Sequence, residues 1–144
     1  MNLAGTEYTL VSRSFDIFVS GCDRACPGCF NPETQDFNYG EELYFSPLIK
    51  KIHEYDNLID NIRIMGGDLL CQKFFYIIYL PFILKKNFPN KKLWLFTGAE
   101  FKDVPKLLLR FFDVIKTGRY IQELATNGEL ASSNQRYYYK GVNY

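Results

Sequence analysis

Three cysteines in one short segment are the residues of this chain best suited to inorganic chemistry. Cys22, Cys26 and Cys29 have the spacing C-x3-C-x2-C and follow an apolar, β-branched run that ends at Gly21. Thiolates on one loop can converge on a zinc ion or on an iron–sulfur cluster. A [4Fe–4S] cluster that only transfers electrons takes four cysteine ligands. Because this loop supplies three, one iron would stay open to bind a substrate.

The other possible ligands favour an iron–sulfur cluster over zinc. Structural zinc usually takes four protein ligands in paired short spacings, and neither Cys71 nor His53 belongs to a second such pair. Cys71 opens an apolar helical pattern, where a buried, inert thiol is expected. We therefore expect the three clustered cysteines to bind a [4Fe–4S] cluster, with a zinc site or a chance cluster of thiols as the alternative.

Length and composition predict one domain that spans residues 1–144. The chain is 47% hydrophobic and 17% aromatic, which suits a packed core and argues against disorder. Its formal net charge of +1 comes without a cluster of Lys or Arg, so no nucleic-acid partner is expected. The N-terminal residues lack the pattern of a signal peptide. A cytoplasmic location is therefore predicted, with the cysteines as ligands or free thiols rather than disulfides.

The apolar run from Phe74 to Leu84 is the segment that could suggest a membrane span. It is too short to cross a bilayer and contains Pro81, so no membrane partner is expected. We interpret it as a helix that is buried or covered by a partner and kinked at Pro81. An exposed aromatic patch that recruits another protein is the alternative.

A repeated pattern of strand and glycine turn predicts how the cysteine loop is positioned. Four segments rich in β-branched and aromatic residues each run into a glycine turn, namely 15–19, 61–65, 93–96 and 112–115. Helical patterns lie between them, from Ser46-Pro47 to Tyr55, from about Gln72 to Phe88, and from Asp103 to Phe111. Such alternation predicts an α/β fold with parallel strands, whose ligand site lies at the carboxyl edge of the sheet. The cysteine loop and the other glycine turns should meet there.

The cysteine spacing resembles that of the radical S-adenosylmethionine enzymes. This resemblance implies that S-adenosylmethionine chelates the open iron, and that one electron splits its carbon–sulfur bond to give methionine and a 5′-deoxyadenosyl radical. Gly66-Gly67-Asp68, after the second predicted strand, resembles the Gly-Gly-Glu type motif that holds the methionine amino group in this superfamily. Alone, Gly-Gly-Asp is equally typical of a turn with a helix cap. Its expected place beside the cysteines favours the cofactor role.

Further segments narrow the resemblance to one family. They are Val19 to Cys22, Cys29 to Thr34, Leu93 to Gly98, and Ser132-Ser133-Asn134-Gln135. Together with Gly28 before the third cysteine and Phe30 after it, they resemble the activating component of anaerobic (class III) ribonucleoside-triphosphate reductase, from about Thr6 to Arg136. Leu69 stands where this family commonly has Pro, which should loosen the turn, and Thr117 stands where Asp is usual.

That resemblance implies a radical S-adenosylmethionine oxidoreductase that makes a glycyl radical on the large subunit of the reductase. It also implies an open, partial parallel β/α barrel of the radical SAM type, an electron donor such as flavodoxin, and assembly as a homodimer or within a heterotetramer. One alternative is the activase of another glycyl-radical enzyme, of the pyruvate formate-lyase type. The other is a non-catalytic interaction module stabilised by zinc or a cluster.

The resemblance also assigns residues to the site. Cys22, Cys26 and Cys29 would bind the cluster. The residues expected around S-adenosylmethionine are Gly28, Cys29, Phe30, Gly66, Gly67, Asp68, Thr97 and Ser133. A plain strand-end turn at Thr97 and a polar loop at Ser133, leading to a strand at 137–139, are equally favoured. Asp23 and Arg24 could face the protein partner or be solvated, and we favour solvation. We expect no further catalytic side chain.

Overall fold

One seven-stranded sheet organises the computed structural model, which describes residues 1–144. The strands are β1 (Asn2–Thr9), β2 (Ser14–Val19), β3 (Glu41–Glu42), β4 (Asn61–Gly66), β5 (Lys92–Phe96), β6 (Val114–Thr117) and β7 (Arg136–Tyr139). The helices are α1 (Phe45–His53) and α2 (Phe74–Asn87), and the remaining helical turns are short 3-10 segments. The strand order is β3-β1-β2-β4-β5-β6-β7, with β3 and β7 at two open edges.

The centre of the sheet is parallel, as the sequence pattern predicts. β2 pairs with β4, β4 with β5, and β5 with β6, all in parallel. Both flanks are antiparallel, because β1 pairs with β2 and β7 pairs with β6 in that sense. β1 and β2 are joined by a tight turn, which can connect only antiparallel neighbours. The α/β class and the open sheet are thus confirmed, and the expectation of a purely parallel sheet is wrong at the flanks.

The predicted helix from Asp103 to Phe111 is wrong. Two 3-10 helices, Phe101–Asp103 and Lys106–Arg110, occupy this region instead. Pro105 separates them, and the residue before a proline is pushed towards extended backbone. Val104 accordingly has φ −71° and ψ 124°. The strand expected at 112–115 begins two residues later, at Val114.

The core lies between the sheet and the two α-helices. Ile62 and Ile64 alternate along β4 and pack with Ile52 of α1 and Leu80 of α2 in one buried cluster. α2 continues through Pro81 and buries one side, while rings such as Phe75 on its other side are exposed. The helix with a buried side is therefore confirmed, and exposed aromatic rings are present as well. The kink at Pro81 and the recruitment of another protein stay predictions. No helix has the length and apolar character needed to cross a membrane.

Ile64→Ala tests the assignment of the core. Ile64 is fully buried at the middle of the sheet, so its truncation should lower the free energy of unfolding by about 2–5 kcal/mol. Leu10→Ala is the control, because Leu10 is 72% exposed and should change stability by less than about 0.5 kcal/mol. Urea unfolding followed by circular dichroism measures both. Equal effects of the two substitutions would contradict the packing described here.

Candidate iron–sulfur site

One cavity of about 240 Å³ lies at the carboxyl ends of the parallel strands. Its wall contains the three clustered cysteines, Gly66-Gly67-Asp68, Thr97-Gly98 and Gly118. The glycine turns therefore meet at one edge, as the sequence predicts. A larger groove of about 720 Å³ lies between β1 and α1 but contains no cysteine, so the chemically equipped residues belong to the smaller cavity.

The cysteine loop is closed by backbone hydrogen bonds. Gly21 N–H donates to the carbonyl of Thr34 at 2.7 Å, and Cys22 N–H donates to that of Gln35 at 3.2 Å. The chain thus leaves β2, passes the cysteines and returns beside its own start. Gly21 has φ +109°, and a Cβ there would lie 2.2 Å from the ring of Phe37. A side chain at this position would clash, so glycine is needed where the loop begins.

The donor set fits an iron–sulfur cluster. Cys22, Cys26 and Cys29 are free, half-buried thiols on one cavity wall, and soft thiolates suit such clusters. No group of three His, Cys, Asp or Glu side chains is drawn together tightly enough to hold a single metal ion. A cube differs from a single ion because its cysteines bind separate irons.

The fourth thiol, Cys71, lies outside this wall. It is half-buried rather than buried, and its Sγ lies 3.0 Å from Oδ1 of Asp23. It also lies beside Cys22. The neighbouring Cys71 thiol and the backbone N–H of Arg24 lower the pKa of Cys22 to about 7, although burial opposes the shift. The thiolate is the form that binds metal, so this environment favours Cys22 as a ligand.

Asp68 is the most heavily hydrogen-bonded side chain of the cavity. Its side chain is only 1% exposed. The Thr97 hydroxyl lies 2.9 and 2.8 Å from its two oxygens, and the N–H groups of Leu70 and Gly98 each donate to it at 2.9 Å. Arg24 Nε donates to Oδ2 at 2.8 Å. One carboxylate therefore joins the end of β4, the end of β5 and the cysteine loop.

One expectation about this region is wrong. Arg24 is not solvated, because the buried carboxylate of Asp68 attracts its guanidinium and leaves the side chain 26% exposed. The effect of Leu69 on the turn after Gly-Gly-Asp stays a prediction. That side chain is buried, and the 3-10 helix Leu69–Cys71 is capped by Asp68.

The two glycines before Asp68 are required by backbone packing. Gly66 has φ +99°, and a Cβ on Gly67 would lie 2.5 Å from the carbonyl oxygen of Gly21. Asp68 N–H donates to that same carbonyl at 3.0 Å. The end of β4 thus lies directly against the start of the cysteine loop, and any larger residue would separate them.

The C-terminal polar motif supports the turn after β6. Gln135 Nε2 donates to the carbonyl of Gly118 at 2.9 Å, and Asn134 Nδ2 donates to that of Arg119 at 2.8 Å. Gln135 lines the cavity, whereas Ser133 is exposed and does not. The motif also leads into β7, so the interpretation as a polar loop before a strand is confirmed.

Not every residue expected around the cofactor lies in the cavity wall. Gly28 and Phe30 are absent from it, as is Ser133. Phe30 is 69% exposed, and its ring centroid lies 5.1 Å from that of Tyr120, which does line the cavity. A cofactor role for these residues stays a prediction.

Lys116 is the cavity residue that sequence reasoning missed most clearly. Its Nζ lies 5.6 Å from the ring centroid of Phe96, and none of the ion pairs includes it. Burial lowers its pKa to about 8. The signal available in the sequence was its position two residues before the glycine turn at Gly118, since side chains near strand ends face such sites.

Comparison with known proteins defines the class first. Residues 12–138 match the family described as a 4Fe-4S single cluster domain, which makes this an iron–sulfur protein. The anaerobic ribonucleoside-triphosphate reductase-activating protein of Enterobacteria phage T4 is 35% identical over 83% of this chain and 80% of its own length. The protein of the same name from Haemophilus influenzae is 30% identical over 87% and 81%. That from Escherichia coli K12 is 28% identical over 94% and 89%.

This identity and coverage also show the family to which the chain belongs. It belongs to the family of anaerobic ribonucleoside-triphosphate reductase-activating proteins. The resemblance inferred from the sequence motifs is thus confirmed.

Thr97→Val tests the network around Asp68. The substitution keeps the side-chain shape but removes the hydroxyl, so the buried carboxylate loses a donor and the apoprotein should lose about 1–3 kcal/mol of stability. Thr97→Ser keeps the hydroxyl and should lose less than half as much. Urea unfolding under reducing conditions measures both variants. If valine were tolerated as well as serine, the hydroxyl would not support Asp68.

Lys116→Met tests the buried amine. Because burial lowers its pKa from 10.5 to about 8, the charged amine destabilises the fold at pH below 8, and this cost fades as pH rises towards 10.5. Methionine should therefore stabilise the apoprotein at pH 7 by on the order of 1–3 kcal/mol, and the gain should shrink steadily above pH 8. Thermal unfolding of variant and wild type between pH 7 and 10 measures it. A gain independent of pH would contradict the titration.

Proposed function

We propose that this protein is a radical S-adenosylmethionine enzyme that generates a glycyl radical on anaerobic ribonucleoside-triphosphate reductase. One observation carries the proposal above all. Three thiols line a cavity at the carboxyl edge of parallel strands, while the remaining thiol, Cys71, lies outside that wall. This arrangement supports a [4Fe–4S] cluster with cysteines at three irons and one iron left open. The names of the relatives support the target.

The chain's own residues would then divide the work. Cys22, Cys26 and Cys29 hold the cluster, which when bound supplies the electron for reductive cleavage of S-adenosylmethionine. The backbone at Gly66-Gly67 has no side chain in the way, so its polar groups can approach the methionine end of the cofactor. Lys116 lines the same cavity and forms no ion pair with a carboxylate of the protein. Its amine is therefore suited to bind the carboxylate of the cofactor.

Asp68 has a different part from the one its motif first suggests. Its oxygens already receive hydrogen bonds from Thr97, Gly98, Leu70 and Arg24. In our proposal Asp68 mainly holds these donors in place. One of its oxygens would also accept a hydrogen bond from the methionine ammonium group when the cofactor is bound. Gly28, Phe30 and Ser133, outside the cavity wall, would act at its rim.

The remaining parts of the proposal concern architecture and partners. The four parallel strands and the open edges support a partial β/α barrel of the radical SAM type in a single domain. An open edge leaves room for the glycine-bearing segment of the reductase large subunit. Glycine suits hydrogen abstraction because no side chain blocks its α-carbon. A flavodoxin-type donor would supply the electron, and a homodimer or a heterotetramer with the reductase would be the working assembly.

Anaerobic reconstitution with iron and sulfide tests the proposal. Addition of S-adenosylmethionine and dithionite should give 5′-deoxyadenosine and methionine, detected by liquid chromatography. Cys26→Ala should abolish the cluster absorbance and reduce product to the level without protein. Cys71→Ser is the matched control and should keep both.

Other outcomes separate the alternatives. Protein that retains zinc, takes up no iron and gives no 5′-deoxyadenosine would point to an interaction module. Cofactor cleavage together with a glycyl radical on pyruvate formate-lyase, and none on the ribonucleotide reductase, would point to another activase.

A further inference from the structure

Arg24, in the middle of the cysteine loop, is bound at two points. Its Nε donates to Oδ2 of Asp68 at 2.8 Å. Its carbonyl oxygen accepts a hydrogen bond from the guanidinium of Arg119. Both its side chain and its backbone carbonyl therefore have a partner outside the loop. The loop is attached to the rest of the molecule between its first and second cysteines.

The residue that follows shows the conformational consequence. Ala25 has φ +47°, the left-handed region that a residue with a Cβ rarely adopts. It lies between Arg24 and Cys26. The anchored Arg24 on one side and the turn from the Cys26 carbonyl to the Cys29 N–H on the other hold the backbone in this disfavoured conformation. The strain shows that the loop's course is determined by its contacts and not by local preference.

The end of β5 is shaped to admit the Arg24 side chain. A Cβ on Gly98 would lie 2.5 Å from Cδ and 2.8 Å from Nε of Arg24. Gly98 also donates its N–H to the same oxygen of Asp68 that Arg24 contacts. A larger residue at 98 would push the guanidinium away from the carboxylate. The glycine turn after β5 thus serves the ion pair directly.

We propose that Arg24 is a positioning residue for the metal cluster. It clamps the cysteine loop to Asp68, and so fixes where Cys22 and Cys26 stand before the cluster binds. The inference rests on the proposed function, since it takes these cysteines as cluster ligands. A charge-assisted hydrogen bond to a carboxylate withdrawn from water is strong, and ligands held in place beforehand bind their metal group more firmly.

Arg24→Gln, in protein reconstituted anaerobically, tests the clamp. An iron chelator should remove the cluster at least about tenfold faster than from the wild type, followed by the loss of visible absorbance, because one buried charged contact is worth at least that factor. Arg13→Gln is the matched control. Arg13 makes an ion pair of similar length, 2.7 Å from Asp60, although both side chains of that pair are more exposed than those of Arg24 and Asp68. Arg13 lies at the opposite end of β2, so its loss should leave the rate unchanged.

A second readout separates positioning from general stability. The electron paramagnetic resonance spectrum of the reduced cluster depends on where its ligands stand, so its g-values should shift in Arg24→Gln and not in Arg13→Gln. Arg24→Lys keeps the charge, so the time for which the cluster survives the chelator should recover at least half of the difference between Arg24→Gln and the wild type. If Arg24→Gln fails to fold, Gly98→Ala gives the same test, because it displaces the guanidinium while the charge remains.

The outcomes are distinguishable. Wild-type protein that takes up no cluster would overturn the proposed function and the clamp together. A wild type that holds its cluster, with Arg24→Gln and Gly98→Ala showing the same rate of loss and the same spectrum, would overturn the clamp alone.

Discussion

The buried carboxylate of Asp68 is the interaction on which the site depends. A carboxylate removed from water is unfavourable unless hydrogen bonds replace the solvent. Here the donors come from three separate segments, which are represented by Thr97, Leu70 and Arg24. Because the carboxylate needs all of them, the ends of β4 and β5 and the cysteine loop are held at fixed distances. The cavity between them is therefore a consequence of satisfying one buried charge.

The glycines around the cavity also help to hold these segments together. Gly67 lets the end of β4 touch the carbonyl of Gly21, and Gly98 lets Arg24 reach the carboxylate. Each absent side chain permits a contact that a Cβ would prevent. The glycine turns, which first suggest room for a cofactor, are thus equally required for the protein to bring its own segments together. The absence of side chains at these glycines thus both leaves space for a cofactor and allows close backbone packing.

Sequence reasoning found the parallel centre of the fold because that pattern is local. Alternating apolar residues such as Ile62 and Ile64, followed by glycine, are visible without tertiary information. The antiparallel strand β1 was not predicted, because its polar and apolar residues are mostly half-buried and show no clear alternation. The helix expected near Asp103 does not form because Pro105 pushes the residue before it towards extended backbone.

For the site, no local pattern indicates that Arg24 is withdrawn from solvent. Its partner Asp68 lies 44 positions away in the chain, and a charged residue within a loop is usually solvated. Lys116 was missed for a similar reason, because its burial depends on Phe96 of the neighbouring strand. Cysteine spacing and motif order, by contrast, are carried entirely by the sequence.

Mössbauer spectroscopy of protein reconstituted with ⁵⁷Fe gives the most direct test that three cysteines hold a cluster with one open iron. With S-adenosylmethionine added, one iron in four should separate from the other three in isomer shift, and Cys71→Ser should give the same spectrum. Four irons that stay equivalent on addition of S-adenosylmethionine, or a distinct site that disappears in Cys71→Ser, would contradict it.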